Sequence, residues 1–275
     1  MTSVRINRKA ADRIASGHPW IFSSDILDRG DAAPGDIVTV IDYRGRPLGT
    51  AHYSSSSQIT LRLLSQQLES IDRDFFRRRL QAAVEYRRAV VCDTDAYRVV
   101  HGEADLLPAL IVDRYGEYLV IQTLNQGMDR ARDTIAACLV ELFSPQGIVA
   151  RNDAPVRAHE QLPLETTTLH GEVPPAVAVH MNGLSLEADL VGGQKTGIFL
   201  DQRENYLAAA RYAHGLALDC FTSTGGFALH MAGRCERVEA VDSSAAALEH
   251  AERNRVANGI ANVEFRQADV LDLLA

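Results

Sequence analysis

The stretch LDCFTSTGGF, residues 218–227, joins an apolar run ending in an acid to a loop of small residues and two adjacent glycines. Such a loop lets backbone approach a ligand closely, and a helix starting there offers unpaired amide donors in its first turn. Asp242 stands 23 residues after Asp219 and closes the next apolar run, Arg237–Val241. An acid at that distance is where doubly wound nucleotide folds grip a ribose diol. A third acid, Asp269, follows the run Val263–Arg266. Three acids at three successive strand ends mark the edge where open α/β sheets take their ligands.

The loop is neither GxGxxG nor a P-loop, and an acid beside it disfavours a pyrophosphate. An acid there is tolerable if the ligand carries positive charge or amines rather than phosphates. S-adenosylmethionine (SAM), with a sulfonium, an amino group, a ribose diol and an adenine, fits better than NAD. The stretch GGQKTGIFLDQREN, 192–205, adds mixed chemistry upstream. Lys195, Asp201, Gln202 and Arg203 offer polar groups suited to an amino-acid zwitterion, and Phe199 offers an apolar face beside them.

The elements that must position these residues alternate helix and strand. Arg203–Ala213 reads as a helix, Leu216–Phe221 as a strand, and Gly226–Ala232 as a helix start. Ser243 or Ser244 caps a helix that runs to Asn258-Gly259. This alternation predicts βαβ units and a parallel sheet. Before it, AVAVHMNGLSLEADL predicts a hairpin, with Asn182-Gly183 supplying the positive φ angles of a type I′ turn. Pro174-Pro175 is the clearest linker signal.

The first 68 residues read as short strands with Gly-rich turns, which suggests a small barrel. Ile37–Ile41, a strand from Pro47 and Gln58–Leu64 are its recognisable strands. Asp72 caps a following helix with Phe76, Leu80, Ala83 and Val84 on one face. A hairpin at Ala109–Leu124, a helix over 129–143 and a strand at 147–151 complete an α+β unit. The expected domains are therefore 1–68, 69–176 and 177–275.

The chain has 275 residues, with 46 % apolar and 23 % charged residues, an ordinary globular composition. No apolar run is long enough to span a membrane, and the N-terminus lacks the apolar core of a signal peptide. A cytoplasmic location is expected. The cysteines Cys92, Cys138, Cys220 and Cys235 lack paired spacing, so neither a disulfide framework nor a metal site is expected. The net charge of −8 argues against a surface coated in positive charge. A local basic face remains open at Asp72–Arg88, with six arginines against three acids, and at Arg5, Arg8, Lys9 and Arg13.

Several long motifs together resemble one family: HPWIF (18–22), PGDIVTVID (34–42), YRVVHGEADLLPALIVDRYG (97–116), GQKTGIFLDQR (193–203), CFTSTGGFALH (220–230) and VDSSAAALEHAERNRVANG (241–259). The chain resembles the ribosomal RNA large subunit methyltransferase I type, the 23S rRNA cytosine-C5 enzymes, over essentially its whole length. The resemblance implies an N-terminal PUA-like β-barrel for binding RNA, a central α+β domain and a Rossmann-like class I methyltransferase sheet. It implies SAM as methyl donor and ribosomal RNA as partner. A homodimer is a further partner expectation; no membrane is expected.

Carried over by position, Asp219, Phe221, Gly225 and Gly226 match the first cofactor loop, and Asp242 the ribose acid. Asp269 and Val270 match the adenine edge. Lys195, Thr196, Phe199, Asp201, Gln202 and Arg203 match the segment closing over the methionine end. Ser223 and Ile198 stand where many relatives have aromatics. The family pattern next expects an Asp-Pro-Pro and a late cysteine, which do not follow by Ala275. An incomplete sheet, a truncated and inactive chain and an unassigned catalytic nucleophile are therefore expected. Cys220 reads as a small buried side chain rather than that nucleophile. The other readings are a non-catalytic module binding RNA and SAM, or methylation of another base such as guanine.

Overall fold

The computed structural model describes residues 2–193 and 195–274, so Gln194 and Ala275 of the stretches above lie outside it. Internal contacts divide the chain into two units. One is 1–91 with 98–173, and the other is 92–97 with 174–275.

In the first unit, alternation of apolar residues builds a six-stranded sheet. Its strands are β1 (Ser3–Ile6), β2 (Trp20–Phe22), β3 (Ile26–Asp28), β4 (Ile37–Ile41), β5 (Pro47–Tyr53) and β6 (Ile59–Ser65), in the order β2-β6-β5-β4-β1-β3. Only β1 and β4 run parallel; the other described pairs are antiparallel. In β4, Val38 and Val40 point into a core shared with Val4, Ile6, Ile21 and Leu61. Helix α1 (Arg8–Ala15) closes that core with Ala10 and Ile14, and the Asn7 side chain caps it by accepting from the Ala10 amide at 2.8 Å.

Helix α2 (Arg73–Val90) starts as the sequence predicts, with the Asp72 carboxylate accepting from the Phe75 amide at 3.1 Å. Its buried face is Phe75, Phe76, Leu80, Ala83 and Val84. The basic face is partly used up internally. Arg87 makes a two-pronged, largely buried pair with Asp105, and Arg73 and Arg78 pair with Glu141 and Glu69.

A second sheet has the order β11-β10-β9-β8-β7, with β7 (Ala96–His101), β8 (Leu110–Tyr115), β9 (Tyr118–Thr123), β10 (Gly147–Asn152) and β11 (Glu165–Gly171). The helix expected over 129–143 is two helices, α3 (Gln126–Arg130) and α4 (Arg132–Phe143). Asn125 starts α3 early by accepting from the Met128 amide, a cap the apolar pattern could not reveal. β11 is a strand the apolar pattern does not predict, because its threonines carry no apolar alternation; it pairs antiparallel with the fully buried β10.

The second unit opens with the hairpin β12 (Val177–Met181) and β13 (Leu184–Ala188), turned by Asn182 at φ 53° and Gly183 at φ 80°. A parallel three-stranded sheet follows, β14-β15-β16 (Gly215–Cys220, Cys235–Asp242, Val263–Gln267). Helices α5 (Arg203–Tyr212), α6 (Gly226–Ala232), α7 (Ala245–Ala257) and α8 (Val270–Leu274) alternate with it. Ser244 caps α7, accepting from Ala247 at 3.2 Å. Among the described residues β14 stands at a sheet edge, and its Leu216 is 79 % exposed. No helix among the described residues is long and apolar enough to cross a membrane.

Candidate cofactor site

Parallel pairing brings the carboxyl ends of β14, β15 and β16 to one edge, so Asp219, Asp242 and Asp269 share it. Each is held differently. Asp219 is buried and accepts from the Thr222 hydroxyl at 2.5 Å and the Ala228 amide at 3.0 Å. Burial pushes its carboxyl up, as does the Asp242 charge, against the opposing pull of those two bonds. Asp242 accepts from the Ser223 and Ser244 amides, both at 2.9 Å, and so ties the glycine loop to the start of α7. A carboxylate has about four lone-pair sites, so Asp242 keeps acceptors for a diol. Asp269 accepts from Leu271 at 2.8 Å and is exposed, whereas the Val270 side chain is buried. Only the Val270 backbone can therefore face a ligand.

The loop between β14 and α6 is bent out of ordinary conformations. Phe221, Ser223 and Gly225 have φ of 60°, 51° and 85°. The two non-glycines each cost on the order of 1–3 kcal/mol in such a backbone, strain typical of ligand-clamping loops. The bend leaves the Phe221 side chain 66 % exposed. Gly226 has a different reason to be glycine. A Cβ there would lie 2.5 Å from the Tyr206 ring, so its bareness is explained by the packing of α5 on α6. Tyr206 also meets Phe227 edge-on at 4.7 Å and stacks on His230 at 4.8 Å.

Upstream, Asp189 accepts from the Val191 and Gly192 amides at 3.0 and 2.7 Å and turns the chain back after β13. Lys195, at φ 53°, places its Nζ 2.8 Å from Asp201 and 4.5 Å from the Phe199 ring centroid. These three predicted residues thus form one cluster. Thr196, next to Lys195 in the chain, is buried. Gln202 bonds Asn205 at 2.9 Å. Arg203 instead turns away, donating to the Cys92 carbonyl and to Glu204, while its own carbonyl accepts from Asn182 at 2.9 Å.

A pocket of about 190 Å³ lies between this segment, the glycine loop and the start of α7. Phe199 is the one predicted residue on its wall. Ile198, Ser223, Thr224, Asp189, Glu187 and His250 line it too. Sequence reasoning missed the last three, though an acid ending a strand, as Asp189 nearly does, was the available signal. Glu187 accepts from Arg253 at 2.8 Å and faces His250 at 2.7 Å. The Arg253 bonds chiefly hold its carboxyl below the usual range, against burial. The pocket is too small for a whole nucleoside-bearing cofactor and suits one end of it. The fit to SAM rests on the donor set: acids without a phosphate cradle, an acid with spare acceptors for a diol, and an aromatic beside a lysine–aspartate pair.

Comparison with known proteins agrees. Residues 4–66 match the model of a PUA-like domain, and residues 217–275 that of a methyltransferase domain. The chain is 41 % identical over 266 residues to the ribosomal RNA large subunit methyltransferase I of Erwinia tasmaniensis, covering 94 % of this chain and 67 % of that protein. Its Klebsiella pneumoniae counterpart is 40 % identical, with 94 % and 66 % covered. The chain thus spans about two thirds of the length of these relatives. In fold it is similar to a Streptococcus mutans protein described as a SAM-dependent methyltransferase (TM-score 0.83, 24 % identity, 99 % of this chain and 72 % of that one). It is also similar to a methyltransferase structure complexed with SAH (TM-score 0.84, 24 % identity, 99 % and 71 %). With a PUA-like domain, a methyltransferase domain and this identity along nearly its whole length, the chain belongs to the SAM-dependent ribosomal RNA large subunit methyltransferase I family.

Proposed function

We propose that the chain acts in SAM-dependent methylation of cytosine C5 in 23S rRNA and carries the cofactor side of that reaction. The observation that carries this reading is the shared edge: three acids at successive strand ends, a strained glycine loop and the Lys195–Phe199–Asp201 cluster. Asp242 holds the ribose diol, and the loop from Phe221 to Gly225 follows the chain of the cofactor. Asp269 and the Val270 backbone border the adenine. Lys195, Thr196, Phe199, Asp201 and Gln202 close the methionine end, with Arg203 fixing the start of α5 behind them. When bound, SAM supplies a methyl group on a sulfonium, and the surrounding acids favour that positive charge.

Cytosine C5 needs activation, which a thiolate adding at C6 provides. None of the four cysteines lines the pocket beside Phe199. Cys138 belongs to the first unit, where burial pushes its thiol up. We therefore expect the 275-residue polypeptide alone to bind SAM and RNA without turnover. We also read the chain as three domains, 1–68, 69–176 and 177–275, the first meeting the rRNA. Isothermal titration with SAM tests the cofactor reading, and methyl transfer to naked 23S rRNA tests the rest. Failure to bind SAM removes the assignment; turnover by this polypeptide alone removes the expectation of inactivity; a methylated guanine replaces the target base.

A further inference from the structure

The six arginines of α2 differ in what holds them. Arg73, Arg78 and Arg87 pair with Glu141, Glu69 and Asp105, and Arg77 lies 3.6 Å from Asp74. Arg79 and Arg88 form no ion pair among the described residues. Arg79 is nevertheless steadied, because its guanidinium lies 5.4 Å from the centroid of the fully buried Phe75 ring. A guanidinium packed on a ring keeps its N–H edge for another partner.

Arg79 stands on a groove of about 570 Å³ within the first unit, three times the pocket beside Phe199. Gly17, Gln66, Gln67, Ala82 and Leu106 also line it, and all five are exposed, so the groove is open to solvent. Its charged groups are Glu69, Arg78 and Arg79; the first two bond each other at 2.8 Å, which leaves Arg79 as the net charge. The side-chain amides of Gln66 and Gln67 form no hydrogen bond among the described residues. Tyr86 follows Ala82 by four residues and so continues the same face of α2 one turn on. Its ring is 60 % exposed, with the Arg87 guanidinium 5.1 Å from its centroid. Arg87 is locked to Asp105, the chain neighbour of Leu106, which sets the ring toward the Leu106 end of the groove. A steadied cation without an anion, free amides and an exposed aromatic along one open groove are the parts that hold an unpaired nucleic-acid strand. The cation takes a phosphate and the ring takes a base face. An acidic peptide would leave the ring unused, and a duplex offers phosphates without an open base face.

We propose that this groove holds a single-stranded segment of RNA, with Arg79 on a phosphate and Tyr86 stacked on a base. The choice of RNA rests on the proposed function above; the chemistry of the groove does not. Fluorescence anisotropy with labelled decauridylate and with a labelled blunt RNA duplex, each across a series of salt concentrations, tests it. The strand is expected to bind tighter than the duplex. Tyr86→Ala should weaken the strand about tenfold. Arg79→Ala should lower the slope of log affinity against log salt by about 0.7, the share of one phosphate on a single strand. Ala82→Glu, at an exposed helical position, places an acid in the groove and should weaken the strand by a factor similar to Tyr86→Ala. Arg73→Ala removes a paired arginine of the same helix and should leave the strand affinity unchanged. Melting temperatures and SAM titration should hold in all four variants. Strand binding that survives Arg79→Ala, Tyr86→Ala and Ala82→Glu overturns the groove and leaves RNA as a partner bound elsewhere. So does an equal loss in Arg73→Ala, or a duplex bound as tightly as the strand. No RNA binding by the wild type, with SAM still bound, removes the groove and the RNA reading together.

Discussion

The two units hold their acids in different ways. In the first, Arg62 and Glu160 are both nearly fully buried and pair at 2.9 Å, with Ser54 adding a bond to Glu160 at 2.7 Å. Arg157 is wholly buried and donates to Asp129 at 2.9 Å, to the Pro163 carbonyl at 3.0 Å and to the Thr123 carbonyl. Asp113 is equally buried and takes both prongs of Arg98. These groups are satisfied by other side chains and by distant backbone, so they fix a scaffold. In the second unit Asp219, Asp242 and Asp269 are held mostly by local amides and hydroxyls at the sheet edge. Local backbone bonds fix a carboxylate's position without consuming its charge. The first unit pairs these charges with charges; at the sheet edge of the second the three acids are held by amides and a hydroxyl, although Lys195–Asp201 and Glu187–Arg253 are ion pairs nearby.

The sharpest way to break that contrast is Arg62→Met. It leaves Glu160 charged and buried without its cation, and urea unfolding should show a loss of about 3–5 kcal/mol. A loss below about 1 kcal/mol would mean the pair is not structural. Asp242→Asn should leave unfolding nearly unchanged while weakening SAM by roughly tenfold or more in calorimetry, the scale of one hydrogen bond to a charged group. Equal stability loss in both variants would erase the distinction between the units. Gly226→Ala pushes a methyl into the Tyr206 ring and should cost about 1–3 kcal/mol. If SAM affinity falls while the melting temperature holds, Gly226 serves the cofactor rather than the packing.

The smallest effect is in the pH profile. Asp25 of the first unit is held below the usual range: burial alone would raise it, but Arg13 and the Phe22 and Asn7 amides outweigh burial. Its contribution to stability is therefore present above the unfolded carboxylate range and lost as pH falls through it. Asp219 is raised, so its folded form holds the proton more tightly than the unfolded chain does. Stability from Asp219 is present at low pH and declines as pH rises through the carboxylate range. Asp25→Asn and Asp219→Asn should thus flatten opposite slopes in acid titrations of unfolding. Slopes of the same sign would refute the assignment of burial as the dominant cause at Asp219.

Much of the second unit was legible because its signals are local. Asn182-Gly183 dictates a hairpin turn, Ser244 a cap, and an acid closing an apolar run a strand end. The first unit hid more. β1, β2 and β3 are three or four residues long and take their identity from partners elsewhere in the chain. At the site, spacing located the acids but not what each one touches. Nothing in the sequence says that Val270 is buried, that Arg203 turns toward Cys92, or that Gly226 yields its space to Tyr206. Asp189, Glu187 and His250 come from two different elements, and only the folded chain brings them to one pocket.

One feature of the connectivity limits how the protein can be taken apart. Residues 92–97 belong with the second unit although 76 residues of the first separate them from Pro174. Thr94 forms a bridge with Met181 and donates to the His180 carbonyl at 2.8 Å, Asp95 accepts from the His180 amide at 2.7 Å, and Arg203 reaches the Cys92 carbonyl. A recombinant fragment beginning at Pro174 would lack the segment that flanks its first hairpin and anchors the start of α5. Dissection of this chain therefore calls for a graft, with residues 92–97 supplied as a fused leader or added peptide, rather than a single cut at the prolines.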